Sequence, residues 1–129
     1  MVKKRKIETI LIIEDEAEVR NFASRVLELE GYHILQAKDS EMGVMLVKEV
    51  PVSLVLLDLR LPEHNGWEVL EQIKSEPELS EIPVIVFTAS AEVSPRERAF
   101  EMGATDYLVK PLSAARLRET VARVLSREK

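Results

Sequence analysis

Short runs rich in Val, Ile and Leu recur along the chain, separated by longer stretches in which apolar residues return every three or four positions. A bounded apolar run of about four to eight residues suits a strand, whereas the wider spacing suits one face of a helix. The runs are Thr9-Ile10-Leu11-Ile12-Ile13, His33-Ile34-Leu35-Gln36-Ala37, Val52-Ser53-Leu54-Val55-Leu56-Leu57, Val84-Ile85-Val86-Phe87 and Tyr107-Leu108-Val109. The first, third and fourth are apolar almost throughout. That predicts strands covered on both faces, at the centre of a parallel sheet.

The intervening stretches predict five helices. Val19, Phe22, Ala23, Val26 and Leu27 form one stripe, and Gly31 follows as a left-handed stop. A second helix begins after Asp39 as N-cap and turns Met42, Leu46 and Val47 inward. A third spans about 67–75, from Trp67, with Leu70 and Ile73 inward. The fourth has Ser94 as cap, Pro95 at the first helical position and Glu97 at the third, with Gly103 beyond its end. The last opens near Ser113 and buries Leu117, Val121, Val124 and Leu125.

Strands alternating with helices, with no internal repeat or linker, predict one α/β domain with a doubly wound five-stranded parallel sheet. Right-handed crossovers and coverage of both faces favour the flavodoxin-like order 2-1-3-4-5, with helices on both faces. A length of 129 residues agrees with a single domain, expected over residues 8–126 between a basic tail at 1–7 and a short C-terminal tail at 127–129.

Composition narrows the chemistry. With no cysteine, disulfides, thiolate metal sites and thiol nucleophiles are all excluded, which suits a cytoplasmic protein. No apolar run approaches the roughly 18 residues needed to cross a bilayer, so no membrane association is expected. The net charge of −5 argues against direct nucleic-acid binding. It is unevenly spread: residues 1–91 hold 17 acidic and 10 basic side chains, residues 92–129 hold 6 and 8. The run Lys3-Lys4-Arg5-Lys6 reads as a solvated tail, and His33 and His64 are too isolated to form a metal cluster.

In open α/β sheets, ligands bind beyond the carboxyl ends of the strands, where strand order reverses. Here that point lies between the first and third strands. Glu14, Asp15 and Glu16 follow the first, and Asp58 follows the third. A structural role exists for each acid alone: Asp58 can cap the turn Leu61–Gly66, and the other three can open a helix, where acids suit the dipole. Together, crowded carboxylates raise a pKa or demand a cation, and Mg²⁺ favours oxygen ligands with several waters retained. Thr88 ends the fourth run and Lys110 follows the fifth, adding a hydroxyl and an ammonium to the same edge. Such a set can hold a phosphoryl group.

With these residues in place, the chain resembles the receiver domains of two-component response regulators, such as the single-domain chemotaxis regulator. The resemblance rests on Leu11-Ile12-Ile13-Glu14-Asp15-Glu16, on Leu56-Leu57-Asp58-Leu59-Arg60-Leu61-Pro62 with Gly66, on Val86-Phe87-Thr88-Ala89, and on Gly103-Ala104 leading to Tyr107-Leu108-Val109-Lys110-Pro111. It implies that Asp58 takes a phosphoryl group from a phosphohistidine of a histidine kinase or histidine phosphotransfer protein. Asp15, Asp58 and the backbone carbonyl of Arg60 would ligate Mg²⁺, with Glu14 acting through water. Lys110 and Thr88 would hold phosphoryl oxygens. Tyr107 would turn inward with Thr88 as a switch, altering the face of the fourth helix, fifth strand and fifth helix, and Arg60 and Ser90 would line water's route to the acyl phosphate. Lys110 and Pro111 would be joined by a cis peptide. The resemblance also implies a downstream protein or attached effector as target, and admits a phosphorylation-dependent dimer. Glu14 is longer than the aspartate many members use, and Leu112 stands where phenylalanine is common.

Other functions fit less well. A phosphatase of the haloacid dehalogenase class also uses an aspartate nucleophile after a strand, but wants an acid two places on, where this chain has Arg60. A flavin or nucleotide carrier needs a phosphate-cradling loop, and the four glycines, at 31, 43, 66 and 103, build none. A scaffold receiver that no longer phosphorylates would not need the full set of acids, threonine and lysine. The expected role is therefore signalling rather than enzymatic turnover.

Overall fold

A computed structural model describes residues 6–60, 66–89 and 93–127, with the backbone alone for Val93 and Ser94. Lys3 to Arg5, residues 61–65 (where a turn is expected, with His64), Ser90 and the last two residues lie outside the described residues. The elements alternate as β1 (Thr9–Ile13), α1 (Ala17–Glu28), β2 (His33–Ala37), α2 (Ser40–Glu49), β3 (Leu54–Asp58), α3 (Gly66–Ser75), β4 (Val84–Thr88), α4 (Val93–Glu101), β5 (Asp106–Val109) and α5 (Ala114–Arg127). All neighbouring strands are parallel, in the order β2-β1-β3-β4-β5. This is the doubly wound, flavodoxin-like sheet that the alternating periods predict.

The strands show why the pattern is legible. Every residue of β3 and β4 is buried, while the edge strand β2 is only partly covered and keeps His33 and Gln36 exposed. Central strands are covered by helices on both faces, so both sets of side chains must be apolar. On one face Leu11, Ile13, Val55, Leu57, Val84 and Val86 pack with Val47, Val69 and Ile73 of α2 and α3. On the other, Ile10, Ile12, Leu54, Leu56, Ile85 and Phe87 pack with α1 and α5 through Ala23, Leu27, Leu117, Val121 and Val124.

Gly31 and Gly103 adopt φ of +93° and +103°, the left-handed turns expected after α1 and α4. Asp39 caps α2 by accepting a hydrogen bond from the Met42 amide at 2.8 Å. The Lys110–Pro111 peptide is cis. α5 runs to Arg127, one residue past the expected domain limit.

Four local expectations are corrected. Met42 is turned out to 37% exposure because α2 meets the sheet at Gly43, where a Cβ would stand 2.5 Å from Ile13 Cδ1; the inward row is Gly43 and Val47. Phe22 is 42% exposed, since Ala23, Val26 and Leu27 are the α1 residues buried in the core and Phe22 flanks a cleft with Val19, Lys110, Pro111 and Leu112. α4 begins at Val93, so Ser94 and Pro95 lie inside its first turn. The first-turn amides have no intrahelical acceptor, so proline is tolerated throughout that turn and marks it without fixing its first residue. β3 starts at Leu54, because Ser53 joins Thr9 through two bonds of its own, amide to carbonyl at 2.8 Å and hydroxyl from the Thr9 amide at 3.1 Å.

Candidate functional site

Four strand ends form one edge of the sheet. Glu14 follows β1, Asp58 closes β3, Thr88 closes β4 and Lys110 follows β5. Parallel pairing brings these distant positions together: Ile13 lies beside Leu57, Asp58 beside Phe87 and Thr88 beside Val109. Glu14, Asp58 and Thr88 are buried, whereas Asp15 is exposed at the rim.

Lys110 draws the carboxylates together. Its Nζ is 3.1 Å from Asp58 Oδ2 and 2.5 Å from Glu14 Oε1, with Glu16 Oε1 farther off at 3.6 Å. It also stands 5.2 Å from the centre of the Phe87 ring. The Lys110 amide donates to the Thr88 carbonyl at 2.8 Å, which ties the lysine's backbone to the end of β4. Asp58 Oδ1 accepts the Arg60 amide at 3.0 Å, so the carboxylate does cap its own turn while its second oxygen faces the lysine.

One cation serves two buried acids and a third nearby, and the protonation balance reflects this. Burial, joined by the charge of Asp58, pushes the Glu14 carboxyl up to about 7, against the opposing pull of Lys110 and the Glu16 amide. For Lys110, burial lowers the pKa, but Glu14 and Asp58 outweigh it and the net direction is upward. The site therefore favours a further positive charge.

Oxygens of Glu14, Asp15 and Asp58 lie within 4.8 Å of one another. Glu14 Oε1 has the charge of Lys110 beside it but accepts no well-aligned hydrogen bond, the one such buried side-chain atom among the described residues. An all-oxygen set whose two buried carboxylates share a single ammonium fits a hard divalent cation such as Mg²⁺.

The sequence matches the response regulator receiver domain family over residues 10–122. The chain belongs to that family. Relatives of this receiver domain include a probable transcriptional regulator, ycf27, from Porphyridium aerugineum, 38% identical over 93% of this chain and 49% of that protein. The phosphate regulon transcriptional regulatory protein PhoB of Escherichia coli is 38% identical over 89% of this chain and 49% of its own length. The chain thus spans about half the length of these curated relatives. Among solved structures, a CheY-like receiver domain protein from Methanospirillum hungatei superposes with a TM-score of 0.88, at 25% identity, covering 95% of this chain and 97% of that one.

The receiver brings together Glu14, Asp15, Asp58, Thr88 and Lys110, all singled out in the sequence. Tyr107 is 7% exposed, its ring in the core on the α2, α3 and α4 side and its backbone paired with Val86. Arg60 is exposed beside Asp58, and Ser90 lies outside the described residues. No helix among the described residues is long and apolar enough to cross a membrane.

Two structural supports were not predicted. Gly66 opens α3 directly against β3: its amide donates to the Leu59 carbonyl at 2.8 Å, and an added Cβ would meet Leu59 Cα at 2.5 Å and press on the Asp58 carbonyl. These contacts are backbone and cannot swing away. Gly66→Ala is expected to cost about 1–3 kcal/mol by overpacking, read as a lowered urea midpoint; an unchanged midpoint would show that the α3 start has room to move. The second support is Arg20 of α1, whose guanidinium bonds the carbonyls of Glu14 and Asp15.

Proposed function

We propose that this receiver domain, folded over residues 8–126, accepts a phosphoryl group on Asp58 from a phosphohistidine of a histidine kinase or histidine phosphotransfer protein. The observation that carries the reading is the contact of one ammonium, Lys110 Nζ, with the carboxylates of both Glu14 and Asp58. In the transfer, an Asp58 carboxylate oxygen attacks phosphorus as the bond from phosphorus to the histidine nitrogen breaks. The nitrogen keeps the electron pair, and an acyl phosphate forms.

Such transfer asks for positioning and charge neutralisation rather than acid–base chemistry. Lys110 is already at Asp58 and neutralises one phosphoryl oxygen, while the Thr88 hydroxyl, closing the adjacent strand, donates to another. Asp15, Asp58 and the Arg60 carbonyl would hold Mg²⁺, with Glu14 acting through a bound water. The ion supplies charge neutralisation at the phosphoryl oxygens. By the family resemblance, Arg60 and Ser90 would line the approach of water and tune the lifetime of the product, whose slow hydrolysis would reset the signal without making the domain a turnover enzyme.

The readout is a two-state shift of the α4, β5 and α5 face, with Thr88 and Tyr107 as the moving parts. That face exposes Phe100 and Val109 beside Arg96 and Arg116, around a cavity that Tyr107 also lines. A downstream protein, an attached effector domain or a second receiver in a phosphorylation-dependent dimer would read it. The setting is cytoplasmic, with no direct nucleic-acid contact by the receiver itself.

The test is exposure to acetyl phosphate with Mg²⁺, followed by intact-mass measurement. One phosphoryl increment, removed by hydroxylamine as an acyl phosphate should be, is expected; no increment would remove the proposal. For the switch, Tyr107→Ala is expected to change partner affinity about fivefold or more, the lower range of typical coupling between sites, with the labelling rate little altered. Equal partner affinity in the phosphorylated and unphosphorylated states would rule the switch out.

A further inference from the structure

α1 carries an electrostatic anomaly in its opening residues. Arg20 is the fourth residue of the helix, near an N-terminus where the dipole disfavours a cation. Its side chain turns back to the loop that joins β1 to the helix. Nη1 donates to the Glu14 carbonyl at 2.8 Å and, more weakly, to the Asp15 carbonyl at 3.4 Å. Nε donates to Gln36 Oε1 on β2 at 3.0 Å, and Gln36 Nε2 donates in turn to Ser24 Oγ at 2.7 Å, one helical turn beyond Arg20.

The loop needs such a hold. Glu16, the N-cap of α1, makes no side-chain cap bond, and its amide is taken by Glu14 Oε2 at 3.0 Å. Asp15 is exposed, so packing does not fix its carboxylate. Three consecutive acids repel one another there. The Glu14 amide bonds the Ala37 carbonyl at 3.0 Å and the Glu14 carboxylate meets Lys110, which anchors the loop's first residue, while the Asp15 carbonyl is held by Arg20. A guanidinium offers several donors in a rigid fork, so it can hold loop carbonyls and Gln36 together. An ammonium has no such fork.

We propose that Arg20 is a positioning residue: braced by Gln36 and Ser24, it locks the backbone of Glu14 and Asp15 so that their carboxylates are set for the divalent cation before it arrives. This rests on the reading that these acids hold Mg²⁺. Its merit is a sign that charge alone reverses. If Arg20 acted only as a nearby positive charge, removing it would tighten cation binding; if it positions the loop, removing it weakens binding despite the lost repulsion.

The experiment is calorimetric Mg²⁺ titration of the full chain, with amide hydrogen exchange on the metal-free protein. Arg20→Met keeps length without charge or donors, Gln36→Leu removes the brace at an exposed position with no change in charge, and Arg20→Lys keeps the charge without the fork. Arg20→Met is expected to weaken Mg²⁺ about tenfold, the lower end of the cost of losing an outer-shell partner. Gln36→Leu should shift affinity in the same direction by less, and Arg20→Lys should fail to restore it. In metal-free Arg20→Met and Gln36→Leu the Glu16 amide should exchange faster, while Val121 and Val124 of α5 keep their protection. A general loss of structure would raise exchange in both places. Equal or tighter Mg²⁺ binding by Arg20→Met overturns the inference, as does unchanged Glu16 exchange in both variants. Absence of Mg²⁺ binding by the unaltered protein would instead remove the metal-site reading, and the exchange data would then decide alone whether Arg20 holds the loop.

Discussion

Asp58→Asn is expected to abolish phosphoryl labelling altogether, the largest functional effect of any single change in this chain. The amide has nearly the shape of the carboxylate but is not a nucleophile, so loss of label isolates chemistry from packing. The local bonds make the substitution informative in a second way. Asp58 Oδ1 accepts from the Arg60 amide and Oδ2 faces Lys110 Nζ at 3.1 Å, and asparagine has only one oxygen to offer. It keeps one of the two partners and turns a donor toward the other. Against that loss stands relief of repulsion: Asp58 is one of the causes that push Glu14 up, so its neutralisation lets Glu14 ionise more readily beside Lys110. The metal-free variant is therefore expected to melt close to the unaltered protein, within about 1 kcal/mol, the usual net size of one hydrogen bond. Stoichiometric labelling of a folded Asp58→Asn variant, seen by intact mass, would place the nucleophile elsewhere.

A large stability effect is expected from pH and Mg²⁺ acting on the same carboxylates. Glu14 is raised from 4.5 to about 7, chiefly by burial and next by Asp58. Between those values the folded state binds more protons than the unfolded state, so stability falls as pH rises from about 4.5 to about 7 and is flat in this respect above. The linkage is worth at most about 3 kcal/mol. Lys110 works in another window: raised from 10.5, it contributes stability below that value, lost only as pH climbs through the higher folded pKa. A divalent cation favours ionised Glu14 and opposes the first trend. At ten times its dissociation constant, Mg²⁺ is expected to stabilise by about 1.4 kcal/mol, roughly 4–7 °C for a chain of this size. Its apparent affinity should strengthen as pH rises toward 7 and level off beyond. Thermal melts across pH 5 to 8, with and without Mg²⁺, read both effects. A melting temperature indifferent to millimolar Mg²⁺ at pH 8 would argue against a metal among these acids, and a metal-free stability that rises from pH 5 to 7 would contradict the burial of Glu14 as its dominant influence.

The family relationship gives these expectations a frame. The chain covers about half the length of relatives such as PhoB. On α4, β5 and α5, Phe100 and Val109 form an exposed apolar centre with Arg96, Arg116 and Asp106 around it. The two arginines agree with the surplus of basic residues after position 91, while acids cluster at Glu14, Asp15 and Asp58.

By itself the sequence determined the layered architecture and which chemistry-bearing side chains share one edge of the sheet. Strands β1, β3 and β4 are buried on both faces, so their composition alone announced a parallel sheet, and right-handed crossovers left few strand orders to consider. Asp15, Asp58, Thr88 and Lys110 were legible because strand ends in such a sheet share one edge, which turns position along the chain into position in space. What the tertiary structure decided depends on close approach between elements. Gly43 against Ile13 rotated α2 and turned Met42 outward, and Phe22 was left on the flank of α1; helical periodicity marks a face but not how near its partner comes. Gly66 matters through contact with the backbone of Asp58 and Leu59, which no spacing rule records. Arg20 left a trace in the sequence, a cation near a helix N-terminus, but its partners Glu14, Asp15 and Gln36 meet only when α1 folds back along β1 and β2. Local periodicity carries burial and strand-end position, whereas contacts of a few ångströms between distant segments exist only once the sheet is assembled.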